Sequence, residues 1–241
     1  FTCNCTAALN TAIKGVLKKG DHVIISSLEH NSVSRPVHAM SEAGIITYSV
    51  ATVNPLDDNE TLRSFASHVK ENTRAIITTH VSNVFGTVLP VEKLCALCKA
   101  KGLLFILDGA QGAGVIPINM DTMHIDCLCV PGHKGLMGPL GTGGLYVADG
   151  IYMDTIIEGG SGSLSESIAQ PDDMPDRLVS GTINTPAIAA LSEGIRFVLK
   201  TGTGEIARKE HELAKRFIEG AGNMENVVLY GDFSRPSTAV V

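Results

Sequence analysis

Leu103-Leu104-Phe105-Ile106-Leu107-Asp108-Gly109-Ala110-Gln111 is the stretch on which the fold turns. Five apolar residues in a row show no alternation between a wet and a dry face, as expected of a strand buried on both faces inside a parallel sheet. Just upstream, 91–101 carries a helical pattern and Gly102 supplies its stop. The run then breaks on a carboxylate, Asp108, followed by a turn.

Working outward, short β-branched runs alternate with amphipathic helical stretches. Strands are predicted at 21–26, 45–50, 74–79, 125–130 and 144–147, and helices at 7–19, 32–42, 58–70, 186–199 and 205–221. This alternation predicts an α/β protein with a mostly parallel sheet. From Gly159 through Pro175 the chain is polar and rich in Gly, Ser and Pro, and reads as a loop of roughly 20 residues, a length usually functional or mobile. Val227 to Tyr230 and Thr238 to Val241 read as strands of a second unit, so a large domain is expected over 1–225 and the start of an incomplete small one over 226–241.

Composition narrows the function. With 241 residues, 44% of them hydrophobic and 18% charged, the chain can bury a core, which excludes disorder. A formal net charge of −6 argues against nucleic-acid binding, which needs clustered Lys and Arg. No apolar run reaches the roughly 20 residues that span a bilayer, so a soluble protein with no membrane partner is expected, and the unstapled cysteines point to a cytoplasmic one. The opening Phe1-Thr2-Cys3-Asn4 has neither an initiator Met nor a signal-peptide layout, so the chain is expected to begin mid-fold. Six cysteines suggest reduced thiols, and Cys95 and Cys98, three apart on a helix with no second pair at zinc spacing, are expected to pack; no metal site is predicted.

Two segments carry chemistry. In Pro131-Gly132-His133-Lys134-Gly135-Leu136-Met137-Gly138, a single Lys sits in a Gly-rich turn directly after an apolar strand. That is the strand's carboxyl end, where open α/β sheets bind ligands, and such a Lys suits a Schiff base; it equally suits an ordinary surface turn. The missing Gly-x4-Gly-Lys-Ser/Thr order argues against a P-loop. Asp108 changes the balance. A carboxylate ending the most apolar strand is costly unless it meets a cation, and a protonated pyridine nitrogen is such a cation. Gln111 would then donate to the phenolic oxygen of a pyridoxal ring; the plainer reading of Asp108 is a cap on the following turn.

These residues, with Cys5-Thr6-Ala7-Ala8-Leu9-Asn10, Glu29-His30-Asn31-Ser32, His80-Val81-Ser82-Asn83-Val84-Phe85-Gly86-Thr87 and Ser180-Gly181-Thr182-Ile183-Asn184-Thr185-Pro186, resemble the class V aminotransferase group of fold-type I pyridoxal 5'-phosphate enzymes, most of all cysteine desulfurases and selenocysteine lyases. The resemblance covers nearly the whole chain. It implies a seven-stranded-type, three-layer α/β/α large domain with helices on both faces. It implies that Lys134 carries the cofactor and later shuttles the substrate Cα proton, that Asp108 pairs with the pyridinium, that Gln111 contacts the phenolic oxygen, that His30 stacks on the ring and that Asn83 lies near the substrate carboxylate. Thr6, opening the helix, the unpaired amide of Ala7 after it, and His133 would hold the phosphate, while Thr182 would reach the neighbouring site of an obligate homodimer. As plain structure, His30 is a helix cap, Thr6 an N-cap and Asn83 a turn residue.

The implied activity is cleavage of the L-cysteine C–S bond to alanine and persulfide sulfur, handed to a possible acceptor protein. The alternatives are an aminotransferase or β-lyase of the same fold, and a non-catalytic cofactor-binding or dimerisation module. Two departures stand out. Pro131 occupies a position where many desulfurases have Ser, so one hydroxyl to the phosphate is missing. The attacking thiol and the carboxylate-gripping Arg of the family's small domain have no counterpart here. Among the thiols present, Cys127 and Cys129 fall in a strand, and Cys5, beside a helix N-terminus, is the one expected to have a lowered pKa.

Overall fold

The computed structural model describes residues 1–229. Its elements in order are α1 (Cys5–Val16), β1 (His22–Ser26), α2 (Asn31–Glu42), β2 (Thr47–Ala51), α3 (Asp58–Ser67), β3 (Thr73–Thr79), α4 (Val91–Lys101), β4 (Leu104–Asp108), α5 (Met120–Met123), β5 (Cys127–Pro131), β6 (Gly143–Val147), a 3-10 turn (Asp176–Leu178), α6 (Thr185–Thr201) and α7 (Thr203–Ala221). The sheet runs β2-β1-β3-β4-β5-β6. Every pairing is parallel except the last, β5 with β6. Six strands are found among the described residues, one fewer than the seven-stranded type expected, and the mostly parallel α/β class stands.

Two apolar layers enclose the sheet. On one face Val23, Ile25, Ala75, Ile77 and Ile106 pack against Leu9, Ile13, Val33 and Val37 from α1 and α2. On the other, Ile24, Ile76, Phe105 and Leu107 pack against Phe65, Leu94, Cys95 and Cys98 from α3 and α4. Successive strand residues feed opposite faces, so a strand covered on both sides has to be apolar throughout. Cys95 and Cys98 are therefore core residues, and burial pushes the Cys95 thiol up to about 12.

Helix ends follow local chemistry. α1 stops at Val16, short of the predicted Lys19, because Asp21 Oδ2 accepts from Lys18 N–H at 2.8 Å and pulls the chain into the turn before β1. Gly102 closes α4 in the left-handed conformation, φ 65°, where glycine carries no side-chain penalty. The long segment between β6 and α6 has no helix or strand beyond its one 3-10 turn. It is not loose string: Gln170 bridges Gly159 N and Asp176 O (both 3.1 Å), and Arg177 Nε donates to Met153 O at 2.7 Å. Residues 227–229 form no strand, while Tyr230 and the predicted strand 238–241 lie outside the described residues, as does most of the expected small domain. Among the described residues no helix is long and apolar enough to cross a membrane.

The topology fixes where chemistry can happen. The chain leaves β1 toward β2 and returns to lay β3 on the other side of β1, so the order reverses between β1 and β3. Ligands bind at such switch points, beyond the carboxyl ends of the strands. The segments leaving those ends carry Glu29 and His30 after β1, Asn83 after β3, Gln111 after β4, and His133 and Lys134 after β5.

Candidate active site

Asp108 is the last residue of β4 and sits in register between Thr79 of β3 and Cys129 of β5. It is only 1% exposed. Its Oδ1 accepts from Ala110 N–H at 2.9 Å and lies 3.5 Å from Cys5 Sγ. Its Oδ2 has no hydrogen-bond partner among the described residues. Burial raises the Asp108 pKa, against the opposing pull of these hydrogen bonds, Lys134 and His30. A buried carboxylate with one free oxygen asks for a cationic partner.

Lys134 lines the same pocket as Asp108, on a turn packed against the loop after β4 with no room for side chains between them. A Cβ on Gly114 would lie 2.1 Å from Gly135 O, and one on Gly135 would lie 2.3 Å from Ala113 O. The turn holding the Lys is closed by Met137 N–H to Lys134 O at 2.9 Å and by Gly138 N–H to Gly132 O at 2.7 Å. Behind it, Gly132 abuts Thr142, which itself donates to Pro139 O at 2.7 Å.

On the opposite side His30 caps α2. Its Nδ1 accepts from Ser32 N–H at 3.1 Å and lies 2.7 Å from Ser32 Oγ, which in turn lies 2.8 Å from Thr6 Oγ1. The capping reading of His30 is thus realised, and His30 also lines the cavity. A pocket of about 190 Å³ unites the set, lined by Thr6, His30, Asn83, Asp108, Gln111, His133 and Lys134 together with Asn4, Cys5, Ser32, Thr79, Val81, Ala110 and Pro131.

The aminotransferase class-V family model matches residues 1–241, the full length of the sequence. The chain belongs to the aminotransferase class-V family. It is 31% identical over 242 residues to cysteine desulfurase IscS of Shewanella amazonensis, covering 98% of this chain and 56% of that protein. It is 28% identical to a probable cysteine desulfurase of Methanothermobacter thermautotrophicus, covering 96% of this chain and 59% of that one. Among solved structures, the apo cysteine desulfurase of Thermococcus onnurineus NA1 superposes with a TM-score of 0.85 at 29% identity, covering 99% of this chain and 60% of its own. The chain spans little more than half the length of the curated relatives it matches.

Within this class-V chain three expectations change. Thr6 does not cap α1: Asn4 does, its Oδ1 accepting Ala7 N–H at 2.8 Å, and Thr6 is the second residue of the helix. Ala7 is absent from the pocket wall and its amide is already taken, so it is not available to a phosphate in this arrangement. Cys5 is not acidified. Burial first, and then Asp108, drive its thiol far above the ordinary range. Helix-end assistance is a weak effect, and here a buried carboxylate at hydrogen-bond distance outweighs it. Cys127 and Cys129 are buried in β5, with burial as the largest cause raising both thiols. Thr182 is exposed and does not line this pocket.

Sequence reasoning passed over Glu29, whose Oε1 accepts from Thr79 N–H at 2.9 Å and from the Ser26 hydroxyl, and whose Oε2 is buried without a partner. Its position beside His30 after an apolar strand was the available signal. Ser32, which links His30 to Thr6, was visible only as part of a motif.

Proposed function

We propose that this chain is the cofactor-binding portion of a pyridoxal 5'-phosphate-dependent cysteine desulfurase-like enzyme, acting on L-cysteine to give alanine and persulfide sulfur. The observation that carries the reading is Asp108: a nearly inaccessible carboxylate with one unpartnered oxygen, in the same pocket as Lys134. The residues present fit the cofactor. Asp108 Oδ2 would take the protonated ring nitrogen, Lys134 the aldehyde carbon, His30 one face of the ring, Gln111 the phenolic oxygen, and Thr6 and His133 the phosphate. When bound, the cofactor supplies an electron-withdrawing ring that stabilises the carbanion left after Cα deprotonation.

The protein's part is positioning and proton transfer. Lys134 Nζ would act as the base that takes the substrate Cα proton and as the acid that returns a proton on the way to alanine. Asp108, held dry on the sheet, would turn its carboxyl to the ring nitrogen, whose positive charge would offset the cost of burying the carboxylate. Asn83 orients the substrate on the carboxylate side. Sulfur removal needs a thiolate nucleophile. Cys5, the one thiol on the pocket wall, is held protonated, so the attacking sulfur is supplied from outside the described pocket. A homodimer in which Thr182 reaches the second copy's phosphate, a sulfur-acceptor protein and a cytoplasmic setting complete the reading.

The test is to incubate the purified chain with pyridoxal phosphate, reduce with borohydride and locate the label by peptide mass. Labelling at Lys134, abolished in Lys134→Ala, is expected. Absence of a Lys134 label overturns the cofactor assignment. Supplied L-cysteine, pyruvate in place of alanine would point to a β-lyase.

A further inference from the structure

Asp108 is held by a contact that the proposed mechanism leaves unused. Cys5 Sγ, from the first turn of α1, stands 3.5 Å from Asp108 Oδ1, within range of a sulfur hydrogen bond across 103 residues of sequence. The thiol has little freedom to be elsewhere. Cys5 is 8% exposed, and the chain before it is pinned to β6 by Thr2 N–H to Gly143 O at 3.0 Å, with Gly143 so close that a Cβ there would lie 2.8 Å from the Asn4 carbonyl carbon. A buried thiol next to a carboxylate donates its proton, since the alternative places two negative charges side by side without water.

Together with Ala110 N–H, the thiol gives Oδ1 two donors, whereas Oδ2 has none. Two donors on one oxygen fix the rotation of the carboxyl group about its last bond. We propose that Cys5 is a positioning residue that clamps Asp108 Oδ1 through its S–H group and so turns Oδ2 toward the ring-nitrogen end of the cofactor pocket. This rests on the cofactor reading given above. The charges around the pair agree with it: the contact favours the charged carboxylate and disfavours the thiolate, while Lys134 and His30 act on Asp108 in the same sense as the thiol. Cys129 from β5, buried in the same core cluster as Cys5, and Glu29 from the β1–α2 connection also face the pair, and His133 lines the same pocket. The same geometry sets Cys5 apart from a sulfur-attacking nucleophile, because its proton is committed to Asp108.

The test compares Cys5→Ala, which removes the donor, with Cys5→Ser, which keeps one. Pyridoxal phosphate affinity is titrated by visible absorbance for both variants and the wild-type chain. A weak donor to a charged acceptor predicts roughly threefold to tenfold weaker binding in Cys5→Ala, with Cys5→Ser within about twofold of wild type. Wild-type affinity in Cys5→Ala, or equal loss in both variants as a packing role would give, overturns the proposal. The cofactor-free protein provides a second readout: the iodoacetamide labelling rate of Cys5 at pH 8, with exposed Cys3 as internal reference. Asp108→Asn is expected to speed Cys5 labelling at least about threefold and leave Cys3 unchanged, since the charge that suppresses the thiolate is gone. An unchanged or slower Cys5 overturns the contact. If the wild-type chain takes up no cofactor, the functional reading fails by itself, and the labelling comparison alone decides whether Cys5 clamps Asp108.

Discussion

The sheet half of the molecule, through β6, and the helical half that ends in α7 differ in how they use apolar residues. In the first, α1 alone buries Cys5, Ala8, Leu9, Ala12, Ile13, Gly15 and Val16. In the second, the 17 residues of α6 bury only Leu191, Gly194 and Val198, and the 19 of α7 only Ile206 and Ala221. Phe197, Leu199, Leu213 and Phe217 stay exposed at 53–76%. The two halves are similar in apolar patterning and different in whether that pattern meets a partner surface. Folding stability within this chain therefore resides in the sheet half, and α6 matters chiefly where it touches that half.

The largest effect should come from Phe105→Ala, in a central strand at 0% exposure, with an expected loss of about 3–5 kcal/mol from transfer and cavity terms. Chemical denaturation followed by circular dichroism measures it; a loss under about 1 kcal/mol would mean the sheet core is not what holds the chain.

A second contrast is in titration. The sheet half hides ionisable groups, whereas the charge pairs of α6 and α7 are exposed on the helix surfaces. Burial pushes Glu29 up to about 8, despite the hydrogen bonds from Ser26 and Thr79. The folded state then holds a proton that the unfolded chain releases near its ordinary value, so this group's stabilisation is complete below about pH 4.5 and lost as pH rises toward 8. His22 and His80 do the reverse: burial lowers both to about 4, so their contribution is present above about pH 6.5 and lost as pH falls toward 4. Glu29→Gln should therefore remove a stability decline on the order of 3 kcal/mol between pH 5 and 8, leaving the acid limb intact. Denaturation midpoints at pH 4.5, 6 and 8 check it; an unchanged alkaline limb would place the Glu29 carboxyl in water.

Where the halves touch, the effect should be smaller and more specific. A Cβ on Gly194 of α6 would come 2.5 Å from Leu136 O and 2.6 Å from Met137 O, and Leu191 packs on Gly138 and Gly132. α6 thus braces the turn that carries Lys134. Gly194→Ala should cost about 1–3 kcal/mol by overpacking and weaken pyridoxal phosphate uptake more than an equally destabilising change in α3 does. Equal uptake in the two variants would show that the turn does not need its brace.

The legibility of these features follows the same division. The apolar run of β4 and the Gly102 stop announced a doubly covered parallel sheet, because burial on both faces leaves an unambiguous pattern. Asp108, Lys134, His30, Thr6 and Gln111 were readable as residue types at strand ends and as a resemblance, and they line one pocket. The Asn4 cap and the Cys5 to Asp108 contact were not readable. The first turns on which of two neighbouring polar side chains reaches the helix amides. The second joins positions 103 apart through a rotamer. α5, a single turn of four residues, is too short for any periodicity to show. The state of the Ala7 amide is unreadable for a related reason, since an amide offered to a ligand looks identical in sequence to one already taken by a cap.

The smallest effect should be Phe217→Ala in α7, and it tests the comparison from the other end. The substitution makes the same type of change as Phe105→Ala, yet Phe217 is 66% exposed, so little burial is lost. Alanine also has the higher helix propensity, by roughly 0.5 kcal/mol, which offsets most of what remains. The expected change is within about 0.5 kcal/mol, and it should be independent of protein concentration. A loss above about 1 kcal/mol that grows with concentration would mean that a second copy covers α7 in solution, since the neighbours described around Phe217 cannot supply that burial. The difference between the halves would then belong to the isolated protomer, and the helical half would be stabilised by association where the sheet half is stabilised by its own core.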